Sequence, residues 1–358
     1  MMIRTLYRFI HTVAIFTLLA LSAYNAQAIE TDIVERVKDI FPGTSSSDIT
    51  ELTNINGTLY FSADDGINGL ELWRSDGTPT GTVMVKNINP SGHGLPSMFP
   101  GFTNVNGTLY FTASDGINGF ELWKSDGTAS GTVMVNDIQP GGDSFPIELF
   151  NFNGTLYFSA NDVTSGRELY KSVGTAAGTV LVKDINPTGD SSPGGFTNVN
   201  GMFYFSASDS TNGRVLWKSD GTAAGTVIVK NINPVGSSNP FQLTNSNGTL
   251  YFDADDGTNG KELWKSDGTP GSTVMIKDIN PGPSGSQPFD LTEVGGILYF
   301  RAVNNVTGGE LWRSDGTASG TNLVKDIQPG VFISSSPNWL TNVNDTLYFG
   351  ADDGSNGY

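Results

Sequence analysis

The chain contains no cysteine among its 358 residues and only two histidines. The absence of cysteine excludes a disulfide framework, a thiolate nucleophile and a cysteine zinc site, so stability must come from burial and backbone pairing. Positive charge is also scarce, because 19 Lys and Arg face 36 Asp and Glu, for a net charge of −17. A surface of that sign repels nucleic acid phosphates and anionic lipid, so neither is expected as a partner.

An apolar stretch lies close to the N-terminus. Arg4 and Arg8 precede apolar residues 13–21, and residues 26–28 read Ala-Gln-Ala. This order predicts a signal peptide over residues 1–28, cleavage near Ala28 and a secreted or cell-surface protein. A membrane anchor is the alternative, but the stretch is shorter than the roughly 20 residues that a span requires, so we expect no span in the mature chain.

The chain is rich in glycine, with 45 residues, and three short motifs recur at a step of roughly 47 residues. A Leu-Tyr-Phe triplet or close variant begins at Leu59, Leu109, Leu156, Phe203, Leu250, Leu298 and Leu347. A Glu-Leu-Trp motif or near relative places its aromatic residue at Trp73, Trp123, Tyr170, Trp217, Trp264 and Trp312. A Val-Lys-Asp-Ile-x-Pro motif, with substitutions, begins at Val37, Val85, Val135, Val182, Val229, Ile276 and Val324. Such self-similarity indicates a repeat architecture.

Each repeat contains four short apolar runs separated by turn signals. In the second repeat they occupy residues 102–105, 108–113, 121–124 and 132–138. Asn106-Gly107 tolerates the positive φ of a tight hairpin between the first two runs, and Pro140 ends pairing after the fourth because it has no NH. The pattern predicts four antiparallel strands with both faces at least half buried.

Four strands in roughly 47 residues are typical of a β-propeller blade. We therefore predict an all-β fold, a β-propeller of about seven blades whose last blade is incomplete, over residues 29–358. A β-solenoid is the alternative, but its coils are shorter and lack hairpin turns. The aromatic residue of each Glu-Leu-Trp motif is expected to fill the space between blades.

The two ends of the chain carry partial units. The N-terminus offers a fourth strand over residues 34–40, whereas the C-terminus offers strands one and two and then stops at Tyr358, where strand three would begin. Either the last blade has three strands, or the chain is a piece of a longer protein. We expect the second.

An Asp-Gly-Thr turn follows the third strand in five repeats. A short carboxylate there accepts hydrogen bonds from nearby backbone NH groups, so we interpret these aspartates as structural. Catalysis is less favoured, because an active site is rarely duplicated in every repeat. The five are Asp76, Asp126, Asp220, Asp267 and Asp315.

Residues 121–128 read Glu-Leu-Trp-Lys-Ser-Asp-Gly-Thr, and these residues with their counterparts resemble the ELWxxDGT repeat of large secreted bacterial proteins, some of which are labelled hyalin. The likeness covers nearly all of the mature chain. Repeat three departs from it at Tyr170 and Val173, and repeat four departs at Val215. The resemblance implies a secreted or surface propeller-like repeat protein, and it brings no established catalytic residues.

Acidic pairs precede the third strand in several repeats. Asp64-Asp65 and Asp255-Asp256 are each followed by Gly-x-Asn-Gly, an oxygen-rich loop that can hold calcium. The spacing fails the EF-hand pattern, because Gly66 falls where a ligand should stand. A solvated hairpin loop is the alternative, and calcium is the only cofactor that the sequence suggests.

The residue before the Glu of strand three is basic in three consecutive repeats: Arg167, Arg214 and Lys261. In a ring of blades these positions would lie at equal radius and height. They predict a cationic arc on an acidic protein, suited to an acidic glycan or to another surface protein. Cross-strand pairing with nearby acids is the alternative.

These features favour a non-enzymatic binding, adhesion or matrix protein. A carbohydrate-active enzyme, either a glycoside hydrolase or a lyase acting at the propeller axis, is the alternative, and a scaffold that spaces other domains is a third hypothesis. His93 alone supports neither a metal site nor a Ser-His-Asp triad. An enzyme would need two carboxylates about 5–10 Å apart in one pocket. The candidates are the non-repeated acids Asp143, Glu148, Asp190, Asp290 and Glu293.

Overall fold

A computed structural model describes residues 7–12, 31–97 and 101–357, with side chains from residue 34 onward. The predicted cleavage position at Ala28 and the terminal Tyr358 lie outside these residues. The chain divides into two compact units between Leu149 and Phe150.

Every regular element among the described residues is a β-strand. Six antiparallel sheets of four strands, in chain order, are followed by a two-stranded seventh sheet, and this confirms the predicted all-β, propeller-class fold with an incomplete last blade. The strands of blades 1 to 3 are β3 (Thr50–Ile55), β4 (Thr58–Asp64), β5 (Leu70–Ser75), β6 (Val83–Lys86), β7 (Thr103–Val105), β8 (Thr108–Ser114), β9 (Phe120–Ser125), β10 (Val133–Asn136), β11 (Ile147–Phe152), β12 (Thr155–Asp162), β13 (Gly166–Ser172) and β14 (Thr179–Lys183). Those of blades 4 to 7 are β15 (Gly194–Val199), β16 (Met202–Asp209), β17 (Gly213–Ser219), β18 (Val227–Lys230), β19 (Phe241–Ser246), β20 (Thr249–Asp255), β21 (Lys261–Ser266), β22 (Val274–Lys277), β23 (Phe289–Val294), β24 (Ile297–Asn304), β25 (Gly308–Ser314), β26 (Asn322–Lys325), β27 (Asn338–Val343) and β28 (Thr346–Gly350).

A two-stranded antiparallel sheet precedes the blades. It pairs β1 (Tyr7–Thr12), inside the segment predicted as a signal peptide, with β2 (Thr31–Arg36). The strand predicted over residues 34–40 therefore ends early, at Arg36. Val37 and Ile40 lie beyond it and are buried, and the Lys38 ammonium donates to the Thr82 carbonyl of blade 1 at 2.6 Å. This segment thus contacts blade 1 through side chains rather than through strand pairing.

The predicted strand positions agree with the structure to within a few residues. The hairpin between β7 and β8 has Asn106 at φ 52° and Gly107 at φ 86°, which is the backbone that this dipeptide tolerates best. The fourth strand is shorter than predicted, and its pairing with β9 contains a bulge between Met134 and Asn136.

A second bulge, which the repeat pattern did not predict, opens the first strand of the blades. The β19–β20 register shifts between Phe241 and Thr244, and Gln242 inside that interval has φ 55°. Glu148 and Asp290 hold the same position with φ 57° and 60°. Glycine at this position in repeats two and four, Gly101 and Gly195, was the sequence signal for the left-handed backbone.

The core of each unit lies between successive blades. In the first unit, Tyr60 and Leu72 of blade 1 pack with Phe111 and Trp123 of blade 2. In the second unit, Tyr204 and Leu216 of blade 4 pack with Phe252 and Trp264 of blade 5. One face of a blade therefore offers Tyr and Leu, and the facing side of the next offers Phe and Trp. This packing buries both faces of a sheet, as the repeats predict.

Candidate functional site

The Asp-Gly-Thr aspartates lie in exposed turns. In blade 2, Asp126 Oδ1 accepts hydrogen bonds from the Thr128 backbone N at 2.9 Å and from Thr128 Oγ1 at 2.7 Å, and these bonds lower the pKa of the Asp126 carboxyl. The same two bonds form at Asp76, Asp220, Asp267 and Asp315.

Repeat three offers a test of this turn, because Val173 replaces the aspartate. Val173 is exposed, and its side chain lies over Gly178 as Asp126 lies over Gly131. We expect Val173→Asp to raise the free energy of unfolding by about 0.5–1.5 kcal/mol, because it supplies an acceptor for Thr175. Thermal and chemical denaturation measure the change. Val173→Leu is the matched control, and equal stability of the two variants would contradict the turn's role.

A buried glutamate from the Glu-Leu-Trp motif holds the loop after the fourth strand. Glu121 is fully buried and accepts hydrogen bonds from the Ile138 backbone N at 2.9 Å, the Ser144 backbone N at 3.0 Å and Ser144 Oγ at 2.5 Å. Burial raises the pKa of Glu121, and the bonds from Ser144 and Ile138 oppose that rise. Serine hydroxyls likewise donate hydrogen bonds to the carboxylates of Glu168, Glu262 and Glu310. These glutamates organise loops.

Blade 1 lacks that hydroxyl. Gly94 stands where the other repeats have Ser, and the Glu71 carboxylate accepts hydrogen bonds from the backbone N of Ile88 at 2.9 Å and of Asn89 at 3.1 Å. Burial raises the pKa of Glu71 to about 7, against the backbone bonds, and the charge of Asp65 adds to the rise.

The acidic pairs predicted as a calcium loop bind their own backbone. Asp64 Oδ1 accepts a hydrogen bond from the Gly66 backbone N at 2.7 Å, and Asp65 accepts bonds from the backbone N of Ile67 and from both nitrogens of Asn68. Asp255 and Asp256 make the same contacts with residues 257–259. Burial raises the pKa of Asp65, but the Asn68 and Ile67 bonds outweigh it and leave the pKa below its ordinary value. Calcium binding stays a prediction; the described side chains include no group of three acids or histidines placed to hold a metal.

His93 and two of the non-repeated acids, Asp143 and Asp190, occupy equivalent positions in their repeats. His93 Nδ1 accepts a hydrogen bond from the Leu70 backbone N at 2.8 Å, just as Asp143 does from Phe120 and Asp190 from Arg167. Each joins the loop after the fourth strand to the start of strand three.

Two of the other non-repeated acids also accept hydrogen bonds from backbone groups. Asp290 Oδ2 accepts a hydrogen bond from the Leu340 backbone N at 2.7 Å, and Glu293 Oε1 accepts one from Gly296 at 2.6 Å. Glu148 has the bulge position described above. Their engagement in loops and bulges gives the glycosidase hypothesis no support.

The basic residues of the predicted arc, all in the second unit, reach back across their sheets. Arg167 donates from Nη1 to the Ser159 carbonyl at 3.3 Å. Arg214 donates from Nε to Ser206 Oγ at 3.1 Å and from Nη1 to the Ser192 carbonyl at 2.9 Å. Burial lowers the pKa of the Arg167 guanidinium, and the charge of Asp190 opposes this. Each arginine thus contacts the residue eight positions earlier, on the second strand of its own sheet. This contact holds the guanidinium over that strand.

Lys261 follows the same geometry but meets an acid. Its Nζ lies 2.7 Å from Asp253 Oδ2 and 5.9 Å from the centroid of the Phe241 ring. Asp253 is only 3% exposed, and burial raises its pKa while Lys261 lowers it. For Lys261, the structure therefore contains the predicted alternative, which is cross-strand pairing with an acid.

Sequence reasoning missed a fourth cation. Blade 6 has Gly309 at the arc position, but Arg301 occupies the second-strand position that Asp253 has in blade 5. Arg301 Nε lies 3.3 Å from the point that a Cβ on Gly309 would take, so the guanidinium fills the place of the absent side chain. The sequence carried a signal for this, because the glycine at the arc position coincides with an arginine eight residues earlier, on strand two.

A cleft of about 250 Å³ lies between blades 5 and 6. Its lining includes Asp253 and Lys261 from blade 5 and Arg301 from blade 6. Two aromatic side chains, Phe241 and Phe289, also line it and are 55% and 47% exposed. Charged groups of both signs and two accessible rings therefore lie in one cleft, which includes Lys261 of the predicted arc.

No protein-family model and no curated protein matches the chain. Among solved structures, it is similar to one from a structural and mechanistic analysis of two prolyl endopeptidases, with 11% identity and a TM-score of 0.40 over 78% of this chain and 51% of that chain. It is also similar to a puromycin hydrolase mutant complexed with PGG, with 14% identity and a TM-score of 0.40 over 74% of this chain and 43% of that chain. The chain spans about half the length of the solved structures that it matches. No helix in the described ranges has the length and apolar character needed to cross a membrane.

Proposed function

We propose that this chain is a non-enzymatic, extracytoplasmic repeat protein that binds anionic carbohydrate, and that it belongs with the ELWxxDGT repeat proteins it resembles. The N-terminal pattern around Arg4, Arg8 and Ala28 supports export. Engagement of four of the five non-repeated acids by backbone groups supports binding rather than hydrolysis. The ligand would meet the protein through the arc of Arg167, Arg214 and Lys261.

The observation that carries this proposal is the repeated placement of the three basic side chains. Hydrogen bonds to Ser159 and Ser206, or the ion pair with Asp253, hold each of them on its own second strand. Side chains that are already ordered lose less conformational entropy when a ligand binds. A row of fixed cations at the repeat spacing suits a polymer that carries regularly spaced anions better than a single small anion.

The test is a titration of the mature protein with polygalacturonate and with dextran sulfate. We expect both to bind, with an affinity that falls as salt increases. The double variant Arg167→Gln/Arg214→Gln should bind either polymer at least tenfold more weakly, because each lost charge-assisted contact contributes about 1.5–3 kcal/mol.

Arg313→Gln is the matched control, since Arg313 is exposed in the third strand of blade 6. It removes one positive charge outside the arc and should change affinity less than twofold. Thermal unfolding of every variant checks that the blades remain folded. Failure of the native protein to bind either polymer, or equal affinity of native and double-variant protein, would refute the proposal.

A further inference from the structure

We propose that the cleft between blades 5 and 6 binds a single uronic acid residue of the bound carbohydrate, with its sugar ring against Phe289 and its carboxylate on Arg301. This inference rests on the function proposed above and narrows the ligand from anionic carbohydrate to carboxylated carbohydrate. Four features of the cleft support it.

The first feature is the exposure of the two aromatic rings. Phe241 and Phe289 open the first strands of neighbouring blades, and each leaves about half of its surface in solvent. The C–H faces of a pyranose ring are apolar and flat enough to cover such rings, and that contact removes apolar surface from water. The residues that open the first strands of blades 1, 3, 4 and 7 are Thr50, Ile147, Gly194 and Asn338, so none of these described strands opens with an aromatic residue.

The second feature is the state of Arg301. Among the described residues, its guanidinium has no hydrogen-bond or ion-pair partner, whereas the Lys261 ammonium already donates one hydrogen bond to Asp253. A guanidinium presents two parallel N–H groups that match the two oxygens of a carboxylate. Arg301 is therefore the cation in the cleft that is available to a ligand anion.

The third feature is the acid that shares the cleft with Arg301. The Asp253 carboxylate lines the cleft and is bound through Oδ2 to Lys261, whereas its Oδ1 is too deeply buried for a ligand to reach. A fixed negative charge in the cleft repels additional anionic groups on a bound sugar. Asp253 therefore favours a uronic acid, which carries one carboxylate per ring, over a densely sulfated sugar.

The fourth feature is the size of the cleft. Its volume of about 250 Å³ lies below the roughly 300–1,000 Å³ of clefts that hold drug-sized ligands, so it accommodates one sugar ring rather than several. The rest of the polymer would extend toward Arg214 in blade 4.

The test compares a defined galacturonic acid oligomer, a neutral galactose oligomer of the same length and dextran sulfate by calorimetric titration of the mature protein. We expect Phe289→Ser and Arg301→Gln each to weaken binding of the galacturonic acid oligomer at least tenfold and to change dextran sulfate affinity less than threefold. Arg301→Lys keeps the charge but loses the two-pronged geometry, so it should also weaken binding of the uronic acid oligomer. Phe332→Ser and Arg313→Gln remove an exposed ring and an exposed charge elsewhere and should have no effect.

The outcomes separate the two proposals. Loss of uronic acid binding in the cleft variants, with their melting temperatures unchanged, supports the cleft. If the cleft variants bind normally while Arg167→Gln/Arg214→Gln does not, the cleft inference is wrong and the arc remains. If the galacturonic acid and galactose oligomers bind equally, the assignment of a carboxylate to Arg301 is wrong. If no anionic polymer binds the native protein, both proposals fail.

Discussion

Replacing Trp123 with Ala is expected to lower the free energy of unfolding by about 3–5 kcal/mol, because it removes the largest side chain of the core between blades 1 and 2 and leaves a cavity. Trp123 is 5% exposed and packs with Tyr60 and Leu72 of the preceding blade. The Lys86 ammonium also lies 5.7 Å from the centroid of the Trp123 ring and donates to the Thr132 carbonyl at 2.8 Å, so this lysine joins the two blades above the same core. Chemical denaturation followed by circular dichroism measures the loss.

A comparison of Phe substitutions separates the packing of the ring from its polar group. The buried Nε1 of Trp123 has no hydrogen-bond partner, whereas Trp264 Nε1 donates to the Ala254 carbonyl at 3.0 Å. Trp123→Phe should therefore cost less than about 2 kcal/mol, and Trp264→Phe should cost about 1 kcal/mol more because it leaves that carbonyl short of a donor. Equal costs at both positions would show that the indole NH contributes nothing, and a small cost for Trp123→Ala would place the stabilising core elsewhere.

The repeat pattern was sufficient to predict the fold because period-two alternation and hairpin turns act locally. The Asn106-Gly107 turn and the alternation of Leu109 and Phe111 with Tyr110 determine which residues face each neighbouring blade. Once both faces of a sheet are apolar, only packing against further copies can bury them. Gly101 and Gly195 signal the bulge in two repeats, but the bulge at Gln242 escaped prediction because a positive φ in a residue other than glycine depends on tertiary contacts.

The candidate site was only partly predictable, because it depends on which side chains meet across strands. Repeat position alone gives Arg167, Arg214 and Lys261 the same place before the Glu of strand three, and their forming a cationic arc stays a prediction. Whether each cation meets a carbonyl, a hydroxyl or an acid depends on the residue eight positions earlier. Arg301 illustrates the difficulty, since it lies on another strand and yet fills the place left by Gly309. Aligning both strands together, rather than one motif at a time, would have identified it.

A sequence difference at one repeat position also explains why equivalent glutamates differ in pKa. Glu71, Glu121, Glu168, Glu262 and Glu310 share a motif, but only Glu71 faces a glycine where the others have a serine hydroxyl. A hydroxyl that donates to a carboxylate favours its charged form. Its absence leaves burial less opposed, which is why the pKa of Glu71 reaches about 7.

Glu71 should therefore make the stability of the first unit depend on pH. The folded state keeps the proton to about pH 7, whereas the unfolded chain releases it near the ordinary glutamate pKa of 4.5. A group whose pKa is raised on folding stabilises the fold fully below its unfolded pKa and loses that contribution as pH rises. Between about pH 4.5 and 7 the contribution of Glu71 to the unfolding free energy should fall by at most about 3 kcal/mol.

Comparing native protein with Glu71→Gln isolates this effect from every other titrating group. Denaturation at pH 5 and at pH 8 should show the variant gaining stability relative to native protein as pH rises, because glutamine has no proton to release. Glu121→Gln is the matched control, and its relative stability should change less with pH because the Ser144 hydroxyl stabilises the charged form of Glu121. If Glu71→Gln and native protein keep a constant difference between pH 5 and pH 8, Glu71 is already charged at pH 5. In that case the backbone N–H groups of Ile88 and Asn89 compensate for its burial without a serine.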